Sequence, residues 1–270
     1  MEVTCSARTC DMDDEVLLVE VADSVAIITL NRPQVRNALS GELLAHLSKA
    51  VIDCESRDDV SVMILTGADP AFCAGVDLKN LGSGEGGSMV PGPRQGPIPP
   101  RVKPLIGAIN GPAITGGLEV ALACDFLIAS DRARFADTHA RVGVQPLWGL
   151  TVLLPQAIGV RRAREMSATG NFIDAETAYE WGLVNHVVDH ENLLSFCRSL
   201  AADIVGNNSG GVQRIMATYS EGSMLSPGDA WDLETQAGLD WMMSGASNLG
   251  DMDKRRKEVI ERGREQSAGS

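Results

Sequence analysis

Short runs of apolar residues alternate along this chain with segments that have the apolar spacing of a helix. Val25–Leu30 is rich in β-branched residues and runs into a proline turn, so it predicts a buried strand. Ser61–Leu65 predicts a second buried strand. Between them, Ser40 fits a helix N-cap. The apolar positions after it recur at steps of one, three and four, which predicts a helix face made of Leu43, Leu44, Leu47, Ala50, Val51 and Cys54.

The same alternation continues through the middle of the chain. Leu105–Ile109 predicts a strand, residues 110–112 predict a turn, and a glycine pair opens a helix that reaches Cys124. Another strand is predicted at Phe126–Ala129. Because strands and helical segments alternate, the sequence favours an α/β architecture.

Beyond about Asp189 the pattern becomes helical. One apolar stripe there consists of Leu193, Leu194, Cys197, Leu200 and Ala201. We therefore predict a core domain of residues 1–198 and a helical C-terminal region of residues 199–270. The segment Gly82–Pro100 has six glycines and five prolines among its 19 residues, so we expect a mobile loop there.

Composition and charge narrow the classes of function. The chain has 270 residues, of which 44% are hydrophobic and 22% charged, as in ordinary globular proteins. Its 36 acidic residues outnumber 23 lysines and arginines, and the net charge of −13 disfavours nucleic acid and acidic membranes as partners. We find neither an apolar stretch long enough for a membrane helix nor a secretory signal, so we expect a soluble, cytoplasmic protein.

Cysteine and histidine do not occur in metal-binding patterns. The six cysteines have no C-x-x-C spacing, which fits reduced and mostly buried thiols. His186 lies within the extended run Val184–Val188 and His190 follows it, and four residues of a strand span roughly 13 Å, so the two side chains cannot bind one ion. The sequence therefore predicts no metal site.

Four parts of the sequence together match a known pattern. They are residues 29–39 (TLNRPQVRNAL), residues 71–78 (AFCAGVDL), residues 103–125 (KPLIGAINGPAITGGLEVALACD), and the short motifs at 133–135 (ARF), 141–143 (RVG) and 182–184 (GLV). In order and spacing, from about residue 15 to residue 190, the chain resembles the enoyl-CoA hydratase/isomerase (crotonase) family. Several independent motifs agree, which makes the resemblance specific.

The resemblance implies an α/β fold, a spiral of strand-strand-helix turns, with a helical C-terminal region that forms trimers or dimers of trimers. It also implies a coenzyme A thioester as substrate, and no separate cofactor because coenzyme A is part of that substrate. An enolate-like intermediate puts negative charge on the thioester oxygen, where two backbone N–H donors would stabilise it. By motif match these donors belong to Val76 and Gly116, the second at a helix start. A glycine pair at 116–117 also fits a simple strand-to-helix turn.

Two residues are candidates for acid/base chemistry. Glu119 matches a catalytic glutamate that would handle water or a substrate proton, although it also fits an ordinary acidic residue in a first helical turn. Hydratases of this family have a second glutamate four residues after the phenylalanine of the Ala-x-Phe motif, and this chain has His139 there. An imidazole can serve as acid or base, with Asp137 to orient it. The alternative is that His139 only packs under a loop.

The resemblance also assigns substrate and coenzyme A contacts, to Arg36, Ala74, Asp77, Lys79 and Gly117. The two cations among them would attract the coenzyme phosphates, and each also fits an ordinary surface cation. Together these features predict a trans-2-enoyl-CoA hydratase, a lyase. The alternatives are another reaction of the same fold (isomerisation, decarboxylation or thioester hydrolysis) and a non-catalytic scaffold that binds coenzyme A esters, RNA or a protein.

Overall fold

The structure, a computed structural model, describes residues 15–77, 96–245 and 252–268. Its strands are Leu17–Ala22 (β1), Val25–Leu30 (β2), Val62–Gly67 (β3), Leu105–Ile109 (β4), Pro112–Ile114 (β5), Phe126–Ser130 (β6), Arg134–Ala136 (β7), Ile173–Asp174 (β8) and His186–Val188 (β9). Its helices are Gly41–Ser56 (α1), Gly116–Leu122 (α2), His139–Val142 (α3), Leu150–Ile158 (α4), Val160–Thr169 (α5), Ala175–Trp181 (α6), Leu193–Val205 (α7), Ser209–Gly222 (α8), Pro227–Met243 (α9) and Met252–Ala268 (α10). Short 3-10 turns lie at Pro33–Val35 and His190–Asn192.

The strands form two sheets. The larger has the order β1-β2-β3-β4-β6-β9, in which β1 is antiparallel to β2 and the other pairs are parallel. The smaller has the order β5-β7-β8, with β5 parallel to β7 and β7 antiparallel to β8. Ile114 pairs with Ala136 at the ends of β5 and β7. These two strands therefore end side by side, at the same edge of the smaller sheet.

The larger sheet is covered on both faces, as parallel sheets usually are. Successive residues of a strand point to opposite faces, so Ala26 and Ile28 pack with α1, whereas Val25 and Ile27 pack with α7. On α7 the buried residues that face the sheet are spaced by four: Leu193, Cys197 and Ala201. This burial confirms the α/β prediction.

Local sequence signals explain the ends of α1. Ser40 caps the helix, because its Oγ accepts a hydrogen bond from Leu43 N at 3.1 Å. At the other end the buried Lys103 donates from Nζ to the carbonyl oxygens of Cys54 (3.0 Å) and Arg57 (2.6 Å). These bonds reinforce the C-terminal end of the helix, where the carbonyl oxygens of Cys54 and Arg57 otherwise accept only long backbone hydrogen bonds of 3.4 Å.

Three sequence predictions need correction. Leu194 is 39% exposed. The residues of α7 that are buried against the sheet are spaced by four along the helix and start at Leu193, so Leu194 lies beside the buried face and not on it. Pro112 begins strand β5 instead of closing a turn, which proline tolerates at the first position of a strand. Most of the predicted loop Gly82–Pro100 lies outside the described residues, but its described part includes Ile98, which is 2% exposed and belongs to the core.

The chain divides into two compact units, one ending at Asn207 and one beginning at Asn208, whereas the sequence predicted a division after residue 198. Helix α7 lies in the first unit because it packs on the larger sheet. In the second unit α8 and α9 pack against each other. Within the described residues, no helix has both the length and the apolar character needed to cross a membrane.

Candidate active site

Glu119 and His139 come from neighbouring strand ends. Strand β5 leads through Thr115 into α2, whose first turn contains Glu119, and β7 leads through Asp137 to His139. Thr138 N donates a hydrogen bond to Thr115 Oγ1 at 3.1 Å, which ties the two connections together. Because β5 and β7 are parallel neighbours, the side chains that follow them meet at one edge of the sheet.

The carboxylate of Glu119 and the imidazole of His139 face each other in a buried position. Glu119 Oε2 lies 3.6 Å from His139 Nε2, and the two side chains are only 3% and 8% exposed. The other carboxylate oxygen, Glu119 Oε1, accepts a hydrogen bond from Trp148 N at 2.9 Å. One oxygen is therefore fixed by the backbone, and the other faces the imidazole.

The far side of the His139 ring is held by Asp137. His139 Nδ1–H donates to Asp137 Oδ1 at 2.7 Å, and the backbone N–H of His139 donates to the same oxygen at 3.1 Å. Burial alone would lower the pKa of His139, but the hydrogen bond to Asp137 and the attraction of Glu119 outweigh it and raise that pKa to about 9. Burial opposes ionisation of Asp137, yet hydrogen bonds from His139 and Ser167 hold its pKa below the usual value. At neutral pH His139 is therefore an imidazolium, and its ring lies between the side chains of Asp137 and Glu119.

The backbone loop at residues 73–77 runs beside this pair. Leu39 N donates to Gly75 O at 2.8 Å on one side of the loop, and Cys73 N donates to Pro112 O at 3.0 Å on the other. Gly75 has a φ of +91°, and a Cβ there would lie 2.7 Å from a backbone oxygen. Only glycine fits this bend without strain.

The bend brings two backbone N–H groups close together. A Cβ built on Gly116 would lie 3.4 Å from Val76 N, so the two residues are in contact. Among the described residues, neither the N–H of Val76 nor that of Gly116 has a hydrogen-bond acceptor. Gly116 is the first residue of α2, where the helix itself offers no acceptor. The two N–H groups can therefore donate to one oxygen of a ligand.

A cavity of about 70 Å³ joins these features. Its lining consists of Ala74, Val76, Thr115, Glu119, Thr138, His139, Val142, Val144, Gln145, Leu147 and Trp148. A carboxyl group, an imidazolium and two backbone N–H donors therefore surround one small space. Such a site suits proton transfer at a carbon next to a carbonyl group.

A comparison with known protein families shows which family this chain belongs to. The family described as enoyl-CoA hydratase/isomerase matches residues 20–237. The chain belongs to this family. It is 43% identical over 215 residues to a protein of Arabidopsis thaliana named probable enoyl-CoA hydratase 1, peroxisomal. The aligned residues cover 78% of this chain and 81% of that protein.

Solved structures show the same relationship. An enoyl-CoA hydratase of Mycobacterium smegmatis is 49% identical, with a TM-score of 0.72 over 85% of this chain and 99% of that one. An enoyl-CoA hydratase of Bacillus anthracis is 31% identical, with a TM-score of 0.79 over 92% of this chain and 97% of that one. The protein therefore has the crotonase fold of the enoyl-CoA hydratase/isomerase family.

The structure brings most of the predicted site residues together. Glu119, His139, Val76 and Ala74 line the cavity, and Gly116 lies beside it. Lys79 lies outside the described residues.

Three predicted contact residues have other surroundings. Asp77 forms an ion pair with Arg32 (3.5 Å), which holds the end of the loop. Gly117 is a packing residue, since a Cβ there would lie 2.1 Å from Cys73 O. Arg36 is exposed, and its side chain has no ion-pair partner within the part of the chain that the structure describes. Of the three, Arg36 alone keeps a charge that a ligand can reach.

Trp148 is the site residue that the sequence analysis missed. Its contact with Glu119 is made by the backbone, so the side-chain type gave no sign of it. A signal was present nonetheless, since a tryptophan followed by glycine stands directly before the apolar run of α4 in a chain poor in aromatic residues. Within the described residues, no group of three or more His, Cys, Asp or Glu side chains could hold a metal ion.

Proposed function

We propose that this member of the enoyl-CoA hydratase/isomerase family adds water across the α,β double bond of trans-2-enoyl-CoA esters. One observation carries the proposal: Glu119 Oε2 and His139 Nε2 face each other at 3.6 Å beside the N–H groups of Val76 and Gly116. Relatives named enoyl-CoA hydratases support it, because they match most of the chain.

The groups have complementary parts in this reaction. Glu119 takes a proton from a water molecule while the water oxygen bonds to C3 of the substrate. The electrons of the double bond then move towards the thioester, and the oxygen becomes an enolate that accepts hydrogen bonds from the N–H groups of Val76 and Gly116. The imidazolium of His139 gives a proton from Nε2 to C2, which completes the 3-hydroxyacyl thioester.

Glu119 and His139 can also return to their starting protonation states after the reaction. After one turnover Glu119 is protonated and His139 is neutral. Because Oε2 and Nε2 are 3.6 Å apart, a small approach lets the proton pass from Glu119 to His139. The hydrogen bond from His139 to Asp137 favours that transfer, since it stabilises the imidazolium. The site then begins the next cycle in its original protonation state.

Arg36 would bind the coenzyme phosphates, with Lys79 as the second cation. Arg36 is exposed, and its carbonyl oxygen accepts a hydrogen bond from Ala74 N at 2.9 Å, so it lies next to the loop of the site. In a chain with a net charge of −13, such a cation offsets the general repulsion of a polyphosphate. Arg36→Gln should raise the KM for the thioester at low salt more than at high salt.

The C-terminal helices would provide the contacts for a trimer or a dimer of trimers. They expose apolar side chains that a monomer does not need, including Trp231 (77% exposed), Met243 (77%) and Tyr219 (73%). Light scattering at several protein concentrations tests this assembly. A monomer at all concentrations would contradict it.

The direct test is loss of the enoyl chromophore of crotonyl-CoA, followed by ultraviolet absorbance, with 3-hydroxybutyryl-CoA identified as product. Turnover by the wild-type protein supports a hydratase. If the protein binds the ester but does not hydrate it, the proposal fails. The same mixtures, analysed for a moved double bond, carbon dioxide or free coenzyme A, then distinguish isomerase, decarboxylase and hydrolase activity, and a lack of all products indicates a binding scaffold.

A further inference from the structure

The indole ring of Trp148 forms a wall of the cavity next to the two proposed oxygen-binding groups. A Cβ built on Gly116 would lie 3.3 Å from Trp148 Cζ3 and 3.2 Å from Val76 Cγ2. The indole therefore packs against the same glycine whose N–H would hold the thioester oxygen. Trp148 also lines the cavity together with Glu119, and it is only 6% exposed.

The surrounding backbone fixes the position of this ring. Trp148 N donates to Glu119 Oε1 at 2.9 Å, and the carbonyl oxygen of Trp148 lies close to Gly96. Gly149, with a φ of +96°, turns the chain directly into α4, which is anchored in the core by the buried residues Leu150 and Leu154. A rigid aromatic side chain with few rotatable bonds is thus held from both directions.

Once the reacting atoms of the substrate are in place, the cavity has little room for a longer acyl chain. The thioester oxygen must reach Val76 and Gly116, and C2 and C3 must lie near Glu119 and His139. A cavity of about 70 Å³ holds only a few water-sized groups. An acyl carbon that extends beyond those positions towards Gly116 meets the indole ring of Trp148.

We propose that Trp148 determines acyl-chain specificity by closing this end of the cavity, so that the enzyme prefers short-chain 2-enoyl thioesters over longer ones. The inference rests on the proposed function, because it takes the cavity as the acyl site. A tight apolar pocket discriminates by about 10-fold to 200-fold for one methylene group, so the effect should be measurable.

Trp148→Ala is an informative variant because it removes the ring and keeps the backbone N–H that binds Glu119. Its kcat/KM should be compared with that of the wild-type protein for crotonyl-CoA and trans-2-octenoyl-CoA. We expect the wild-type protein to favour the shorter substrate by at least about tenfold, and the variant to lose that preference. Trp148→Phe should lie between them. Phe172→Ala removes an exposed aromatic ring outside the cavity and should leave the ratio unchanged.

Binding of the saturated esters butyryl-CoA and octanoyl-CoA, measured by calorimetry, separates this inference from the proposed function. A gain in octanoyl-CoA affinity of at least about tenfold in Trp148→Ala, relative to butyryl-CoA, supports the inference even if no enoyl-CoA is hydrated. Hydration with the same substrate ratio in both proteins would overturn it and leave the proposed function intact. If Trp148→Ala does not fold, Trp148→Phe and Trp148→Leu carry the same test. A wild-type protein that binds neither ester contradicts both proposals.

Discussion

His139 Nε2 lies 3.6 Å from Glu119 Oε2, while His139 Nδ1 donates a hydrogen bond to Asp137 at 2.7 Å. The imidazolium is therefore held between two carboxylates, at the position where hydratases of this family have a second glutamate. A pair of glutamates must share protons to avoid like-charge repulsion. In this chain that position holds a cationic imidazolium, which attracts the Glu119 side chain instead of repelling it.

The first prediction concerns replacement of the histidine by the usual residue. His139→Glu would place a carboxylate beside both Asp137 and Glu119, so we expect a loss of roughly 3 kcal/mol in the free energy of unfolding and at least tenfold lower activity. Asp137→Asn in the same chain should recover much of both losses, because it removes one like charge. Urea unfolding and crotonyl-CoA hydration of the two single variants and the double variant measure the coupling. A His139→Glu variant as stable and active as wild type would contradict the charge arrangement.

The second prediction is the pH dependence of activity. Because His139 must be protonated to give its proton to C2, kcat/KM should fall as the pH rises through about 9, the pKa of this residue. In Asp137→Asn the hydrogen bond that raises this pKa is weakened, so the fall should begin at lower pH. Steady-state rates across the alkaline range test both statements. If kcat/KM falls at the same pH in both proteins, a group other than His139 causes the fall.

The third prediction is the pH dependence of stability. The pKa of His139 is about 9 in the folded protein, above its ordinary value of 6.5, so the folded state binds this proton more tightly. The resulting stabilisation is fully present below pH 6.5 and is lost as the pH rises through about 9. By linkage it amounts to on the order of 3 kcal/mol. Urea unfolding of wild type and His139→Gln should therefore show a difference in stability that shrinks on the alkaline side; a constant difference would refute the account.

The fourth prediction separates the two adjacent glycines. A Cβ on Gly117 would lie 2.1 Å from a backbone oxygen, so Gly117→Ala should destabilise the fold by about 1–3 kcal/mol or more. A Cβ on Gly116 meets two side-chain atoms at 3.2 and 3.3 Å and the backbone nitrogen of Val76 at 3.4 Å, much longer distances, so Gly116→Ala should change stability little. It should instead lower kcat on the order of 10-fold to 100-fold by displacing the donors. Equal effects of the two variants on stability and kcat would contradict these separate roles.

Much of the fold could be predicted from local pattern. Helix α1 was visible because Ser40 caps it and its apolar residues have helical spacing, and β2 was visible as a β-branched run that ends at a proline turn. Strand β5 was missed because it has only three residues and starts with proline, so its existence depends on pairing with β7. Leu194 was misplaced because helical spacing does not tell how wide the buried face is.

The site was predictable where side chains carry the signal. Glu119 and His139 stood out by motif, and the structure places them together because β5 and β7 are parallel neighbours, a pairing that no local pattern revealed. The contact of Trp148 with Glu119 could not be predicted, since it is made by a backbone N–H, and only the position of the tryptophan before the apolar run of α4 pointed to the residue. Likewise, only the folded chain shows that Asp77 is paired with Arg32 and that Gly117 is needed for packing.

The central claim is that Glu119 and His139 act as one acid/base pair for hydration. Its most direct test is the rate of crotonyl-CoA hydration by wild type, Glu119→Gln and His139→Ala, with butyryl-CoA affinity and thermal unfolding as controls for binding and folding. We predict turnover by the wild-type protein and a loss of about 10²-fold to 10⁴-fold in each variant, with the ester still bound. A His139→Ala protein that hydrates crotonyl-CoA at the wild-type rate would contradict the claim.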